Sequence, residues 1–309
     1  MSTERNKTMS KIYNGIMGLI VGDALGVPVE FKKRDTYKIT GMTGYGTHNQ
    51  PPGTWSDDSS MTLATLESIG RLKKIDLSDI MRNFCRWLYE GTFTPYGKVF
   101  DVGGTTRCAI DRYTKGVPVK ECGGKKITDN GNGALMRILP LAFLNWDFEN
   151  ICDVSGLTHA HGISQKACLL YLTAANGIMR GDSCAKVLAN IYSDSWSKTI
   201  GLRDSRELRR EDVRSTGYVV DTLEAALWCL YNMGNYRDCV LAAVNLGDDT
   251  DTVAAAAGGL AGLMYGCGGK KGSLRNGFRK LPEKNGLRIY AGILKTPYYK
   301  KLFRERILS

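Results

Sequence analysis

The stretch "NLGDDTDTVAAAAGGLAGLMYG", residues 245–266, runs from three carboxylates directly into alanine and glycine. Alanine favours helix, yet a helix with so little side-chain bulk is of use only where neighbouring backbones come close to it. That places it at the centre of a packed structure rather than on its surface. One polar residue is enough to start it: Thr250 or Asp251 can cap a helix that begins near Thr252. Asp248, Asp249 and Asp251 together exceed that need. Their mutual repulsion calls either for solvent, as on an exposed face, or for a hard divalent cation that takes oxygen ligands.

The rest of the chain reads as mostly helical. Apolar periodicity predicts helices at 10–25, 57–73, 77–89, 102–113, 133–145, 162–180, 184–192, 217–232, 236–244 and 250–265, with "YKITGMTGYG" as at most a short strand. The expectation is an all-α, compact orthogonal helical bundle forming a single domain over residues 1–309, with a basic C-terminal segment at 270–309. That segment holds twelve Lys or Arg against Glu283 and Glu305, so nearly all of the formal net charge of +11 lies there. A polyanion can be its partner, but solubility or attraction of an anionic substrate explains it equally well, and nucleic acid is not the expected partner. No apolar run reads as a membrane span, because Asp23 interrupts "GIMGLIVG". Nine scattered cysteines without a CxxC pair suit reduced thiols in a cytoplasm.

A second acidic start lies in "GTWSDDSSMTLATLESI", residues 53–69. Ser56 is a plausible N-cap, Asp57 and Asp58 fall in the first turn, where the helix dipole favours carboxylates, and Met61, Leu63, Leu66 and Ile69 offer buried contacts. Two acid pairs flanked by hydroxyls, each heading an apolar helix, can also be facing halves of one site for two metal ions. In "GLIVGDALGVPVEF" the glutamate Glu30 follows an apolar turn, as a general base or as an exposed loop residue. "FDVGGTTRCAI" sets Gly103 and Gly104 before a helix, where free N–H groups can hold phosphate, and "TDNGNGALMRILPLAF" repeats the arrangement with Asn130, Asn132 and Gly133. Neither matches a P-loop or the dinucleotide fingerprint. His159 and His161 in "GLTHAHGIS" are two apart and so do not share a helix face; a ring there can pack in a loop or meet a ligand.

Taken together, "GDALGVPVE", "WSDDS", "FDVGGTTR", "GNGALMRILPLAF", "THAH" and "GDDTDTVAAAAGGLAG" resemble, in order and from about residue 10 to 267, the motifs of the ADP-ribosylglycohydrolases. That family includes the enzyme that reactivates dinitrogenase reductase and the animal ADP-ribosylarginine and ADP-ribosylserine hydrolases. The resemblance implies an all-α fold around a central dinuclear cleft holding two divalent cations, Mg²⁺ or Mn²⁺. It implies Ser56, Asp57, Asp58, Asp249, Asp251 and Thr252 as the metal set, with Asp251 bridging. Glu30 and Asp101 correspond to the catalytic acids, and Gly103, Gly104, Thr105, Asn132, Gly133 and His159 to the substrate-binding residues. The implied reaction is hydrolysis of the N-glycosidic bond between ADP-ribose and a protein arginine, by a cytoplasmic monomer. The alternatives are serine-type or small-molecule ADP-ribose derivatives, or ADP-ribose binding without cleavage. Ser56 and Ser59 stand where the family often has threonine, which keeps the hydroxyl and loses the methyl that fixes its rotamer.

Overall fold

The computed structural model describes residues 2–267; the basic segment 270–309 lies outside the described residues. Within them the chain is all α, with no strand and only isolated bridges such as Tyr45 with Gln50. The α-helices are α1 (Ser2–Gly26), α2 (Asp57–Leu72), α3 (Leu77–Glu90), α4 (Gly104–Thr114), α5 (Phe148–Gly156), α6 (Gly162–Arg180), α7 (Cys184–Ser193), α8 (Ser195–Thr199), α9 (Val219–Asn232), α10 (Tyr236–Val244) and α11 (Thr250–Tyr265).

The alanine-glycine helix α11 is buried along nearly its whole length, from Thr250 to Leu263. Its principal neighbour is α1, and the two meet backbone to backbone. A Cβ placed on Gly22 would stand 2.0 Å from the carbonyl oxygen of Ala254; one on Gly18 would stand 2.3 Å from that of Gly258, and the reverse contact is equally close. At the head of α11, a Cβ on Gly26 would lie 2.3 Å from the Cα of Asp251. The missing side chains therefore set the spacing of the two helices and bring the loop after α1 onto the acidic start of α11. Tyr171 of α6 and Tyr236 of α10 close the remaining polar valences, donating to the carbonyl oxygens of Ala256 and Gly18 at 2.9 and 2.8 Å.

Three expectations need correction. The helix expected at 133–145 is instead two short 3₁₀ helices, Leu135–Arg137 and Leu139–Phe143; Pro140 has no N–H to give to an α-helical ladder, and the ring opposes its continuation. Helices α5 and α8 were not foreseen from apolar periodicity; both are short and begin at aspartate caps, Asp147 and Asp194. The stretch Tyr37–Gly46, allowed at most a short strand, forms none beyond the single bridge at Tyr45. Finally, Thr8–Val29 is, by length and mean hydropathy of 1.4, apolar enough to cross a membrane despite Asp23; in the fold this stretch belongs to the core helix α1 and is largely buried against α11.

The contrast between tight and open glycines is measurable. Gly22→Ala forces a methyl into backbone and is expected to destabilise the fold by about 3 kcal/mol. Gly70→Ala, on the exposed side of α2 with nothing within 4 Å of the new methyl, is expected to stabilise it by about 0.5–1 kcal/mol. Chemical denaturation of the two variants reads both signs.

Candidate metal centre and substrate cleft

Both acidic helix starts decline the capping role that their sequences suggest. Ser56 is the N-cap of α2 and Asp249 that of α11, but neither side chain caps its own helix. The N-terminus of α2 is satisfied from another helix. Asp23 of α1, fully buried, accepts from the backbone N–H of Ser56 at 2.9 Å and of Ser59 at 3.0 Å, and from the Ser59 hydroxyl at 2.6 Å. With its oxygens so occupied, Asp23 acts as a remote cap that holds the head of α2 against α1. The Ser56 hydroxyl lies 2.9 Å from both Asp23 and Asp58, and its single proton serves only one of them at a time.

The two helix heads meet at this point. The Thr252 hydroxyl is 3.4 Å from Asp58 Oδ2. Asp23, Asp58 and Asp251 offer oxygens within 4.8 Å of one another, as do Glu30, Asp249 and Asp251. Asp251 is thus common to two acidic groups. Asp249 is oriented by Asn132, whose side-chain amide donates to it at 2.9 Å while also donating to Thr222 at 2.9 Å. Asp57 is buried and feels the charges of Asp101, Asp23, Glu30 and Asp249. Asp248 does not join the group: it is an exposed turn residue at φ 59°, and its main chain pairs with Phe31 and Lys32.

Burial of so many carboxylates raises their proton affinity. Desolvation is the first cause throughout, holding Asp57, Asp58 and Asp251 well above the ordinary carboxylate range, with neighbouring carboxylates adding to it. Asp23 rises to about 6 in spite of its hydrogen bonds from Ser59 and Ser56. Glu30 rises to about 7, its hydrogen bond with His48 opposing burial and the charges of Asp101 and Asp249 reinforcing it. Asp58 Oδ1, Asp249 Oδ1 and Asp251 Oδ2 are buried with no hydrogen-bond partner. Buried carboxylate oxygens without partners, on residues that cluster around Asp251, fit a hard divalent cation, since every donor among them is oxygen. Asp23, whose oxygens are already occupied, fits a positioning role better than a ligand role.

Glu30, His48 and Asp101 form a further group whose ligand atoms lie within 4.8 Å of one another. His48 Nε2 bonds Glu30 Oε2, and burial and the nearby Glu30 and Asp249 frame a carboxyl at Asp101 that is also raised, chiefly by desolvation. The glycine loops stand beside these acids. Gly103 caps α4 without a side-chain bond, and Gly103 and Gly104 are exposed, so the first N–H groups of α4, including that of Thr105, have no side-chain cap from Gly103. Thr106 connects the two loops: its hydroxyl would lie 3.8 Å from a Cβ on Gly103 and 3.1 Å from one on Gly133. His159 is buried behind the second loop, its ring 2.8 Å from where a Gly133 Cβ would stand. Burial and the charge of Arg137 push it down to about 3, so the ring is neutral. Arg137 donates to Thr158 Oγ1 at 2.8 Å, and that hydroxyl lies 2.8 Å from His159 Nδ1. His161 turns away and caps α6 through its ring.

The sequence reading passed over Asp23, His48 and the Arg137–Thr158 support. A lone carboxylate within the otherwise apolar "GLIVGDALG" was the signal for the first. His48, a lone histidine in the loop between α1 and α2, carries no comparable signal.

The chain matches the ADP-ribosylglycohydrolase profile over residues 4–295. The chain belongs to the ADP-ribosylglycohydrolase family. Among its relatives is the ADP-ribosylarginine hydrolase Tri1 of Serratia proteamaculans (strain 568), 33% identical over 84% of this chain and 73% of that protein. The ADP-ribosyl-[dinitrogen reductase] glycohydrolase of Rhodospirillum rubrum is 33% identical over 83% of this chain and 86% of its own length. A solved structure described as an ADP-ribosylglycohydrolase-related protein complex aligns with a TM-score of 0.72 at 29% identity, covering 86% of this chain and 91% of that one. This ADP-ribosylglycohydrolase is accordingly a hydrolase of ADP-ribose linkages, and the acidic cleft is its candidate divalent-metal site.

The raised carboxyls have a thermodynamic consequence. Between the unfolded values of 4.5 and 3.8 and the folded values of about 7 and 6 for Glu30 and Asp23, the native state binds more protons than the unfolded one. The stability these groups contribute is present at low pH and is lost as pH rises through 6 to 7. A cation replaces the protons, so its stabilisation should grow over the same interval. At a concentration one hundred times its Kd, Mn²⁺ is expected to raise Tm by about 5–10 °C at pH 7.5 and by much less at pH 5. Asp251→Asn should abolish the increment, as read by thermal denaturation with and without chelator.

Proposed function

We infer that this chain hydrolyses the N-glycosidic bond between ADP-ribose and a protein arginine side chain, using two Mg²⁺ or Mn²⁺ ions. The observation that carries the reading is the convergence of the two helix heads, with buried, unpartnered oxygens on Asp58, Asp249 and Asp251. The ADP-ribosylarginine hydrolases among the relatives, at 33% and 32% identity, support the arginine linkage; the human ADP-ribosylhydrolase ARH3 is 22% identical. The residues that would hold the ions are Asp57, Asp58, Asp249 and Asp251, with the hydroxyls of Ser56 and Thr252 beside them. When bound, the ions supply positive charge that offsets the carboxylates, grips the ribose hydroxyls and acidifies nearby water.

The protein's own groups then divide the work. The ribose carbon gains oxocarbenium-like character as its bond to nitrogen breaks, so water must be deprotonated on one side and the leaving guanidine protonated on the other. Glu30 belongs to the same acidic group as Asp249 and Asp251, which favours it for the water side. With Oε2 held by His48 and its carboxyl poised near neutral pH, it takes the proton. Asp101 groups with Glu30 and His48 and is absent from both groups that contain Asp251; its raised carboxyl suits donation to the departing nitrogen. The N–H groups of Gly103, Gly104 and Thr105, at a helix start, suit the pyrophosphate. Asn132 and Gly133 bring the second loop alongside, and the neutral His159 backs it.

Equal amounts of arginine-linked and serine-linked ADP-ribosyl peptide, incubated with the protein and Mg²⁺ or Mn²⁺, test the reading by chromatography of free ADP-ribose. Faster release from arginine is expected, reduced at least about a hundred-fold in Asp57→Ala and Asp251→Ala, on the scale of losing an essential electrostatic group. Preferential release from serine would replace the arginine reading. No release from either would favour ADP-ribose binding without cleavage.

A further inference from the structure

We propose that Phe31, His48 and Phe100 form an aromatic ledge at the lip of the acidic cleft that receives the planar cationic side chain bearing the ADP-ribose, beside Asp101. The proposal rests on the arginine reading and assigns that reading a specificity surface.

Phe31 follows Glu30 directly and is 69% exposed. Its backbone is left-handed, φ 64°, a region that bulky side chains rarely occupy. Two main-chain hydrogen bonds hold it there: Phe31 donates to the carbonyl oxygen of Asp248 at 2.7 Å, and Asp248 donates to that of Lys32 at 3.0 Å. An outward phenylalanine in a strained conformation contributes little to the core. The same geometry directs it into a row of rings. Its centroid is 6.2 Å from that of His48, and His48 is 5.2 Å from Phe100, at interplanar angles of 59° and 52°. His48 and Phe100 are only partly buried. The row is continuous with the cleft, since His48 bonds Glu30 and Phe100 precedes Asp101.

This composition selects for one kind of group. A guanidinium is planar, delocalised and weakly hydrated, so it stacks on ring faces while its N–H groups pair with a carboxylate. An O-linked serine side chain offers neither the plane nor the charge. The ledge adjoins Asp101, the group that faces the departing nitrogen in the proposed reaction, so it meets the leaving side chain rather than ADP-ribose.

Steady-state kinetics on an arginine-linked ADP-ribosyl peptide, with the cation-loaded full chain and its Phe31→Ala, Phe31→Leu, Phe31→Trp and Phe100→Ala variants, test the proposal. The inhibition constant of free ADP-ribose is measured alongside. Phe31→Ala and Phe100→Ala should lower kcat/KM by about 3- to 30-fold, chiefly through KM, without changing inhibition by ADP-ribose. Phe31→Trp should retain activity, and Phe31→Leu, which keeps apolar bulk without a π face, should not. Full activity in Phe31→Leu, or weakened ADP-ribose inhibition in step with KM, would overturn the ledge. An arginine preference that survives both alanine substitutions would overturn it alone. A wild-type enzyme that cleaves the serine-linked peptide and not the arginine-linked one would overturn the arginine reading and the ledge together.

Discussion

The backbone contact between α1 and α11 is the constraint on which the site depends. Gly18 and Gly22 allow α1 to lie against the carbonyl oxygens of α11, and Gly26 lets the chain leave α1 in contact with the Cα of Asp251. Asp23, one residue beyond Gly22, is thereby fixed in the core, where it reaches across to Ser56 and Ser59. A side chain at Gly22 or Gly26 would push apart the three segments that carry the acids. The small residues of α11 therefore serve the cleft as well as the core, which is why the acidic head and the alanine-glycine body occur together in one stretch of sequence.

Electrostatics explains why the helix starts look overbuilt. A cap needs one acceptor, and Asp23 supplies it for α2 from a neighbouring helix, leaving the hydroxyl of Ser56 and the carboxylates of Asp57 and Asp58 for the cleft. In the metal-free chain these acids are costly to ionise, because burial removes water and each faces the others' charge. The acids compete with one another unless protons or cations intervene.

Most of this was legible in the sequence, and for identifiable reasons. The helices α2, α3, α6, α10 and α11 follow apolar periodicity closely, since each buries one continuous face or is buried all round. The 133–145 segment misled because its apolar residues are helical in spacing while Pro140 forbids the α-helical ladder. Helices α5 and α8 were missed because their signal lay in the caps Asp147 and Asp194 rather than in their few apolar residues. Of the site, the acid pairs and glycine loops could be found as local composition. Asp23 left only a faint signal, a lone carboxylate in an apolar stretch, and His48 none, because their partners, Ser56 and Ser59 for one and Glu30 for the other, are distant in sequence and meet only in the fold. The expectation for 270–309 concerns residues outside those described.

Anomalous diffraction from crystals grown with Mn²⁺, recorded at the manganese edge, locates cations without reference to activity. A dinuclear centre at the two helix heads gives two peaks in the acidic cleft, both adjoining Asp251, one bordered by Asp58 and the other by Asp249, and neither present in Asp251→Asn crystals. Absence of any peak in that cleft at saturating Mn²⁺, or peaks confined to exposed surface acids, would contradict it.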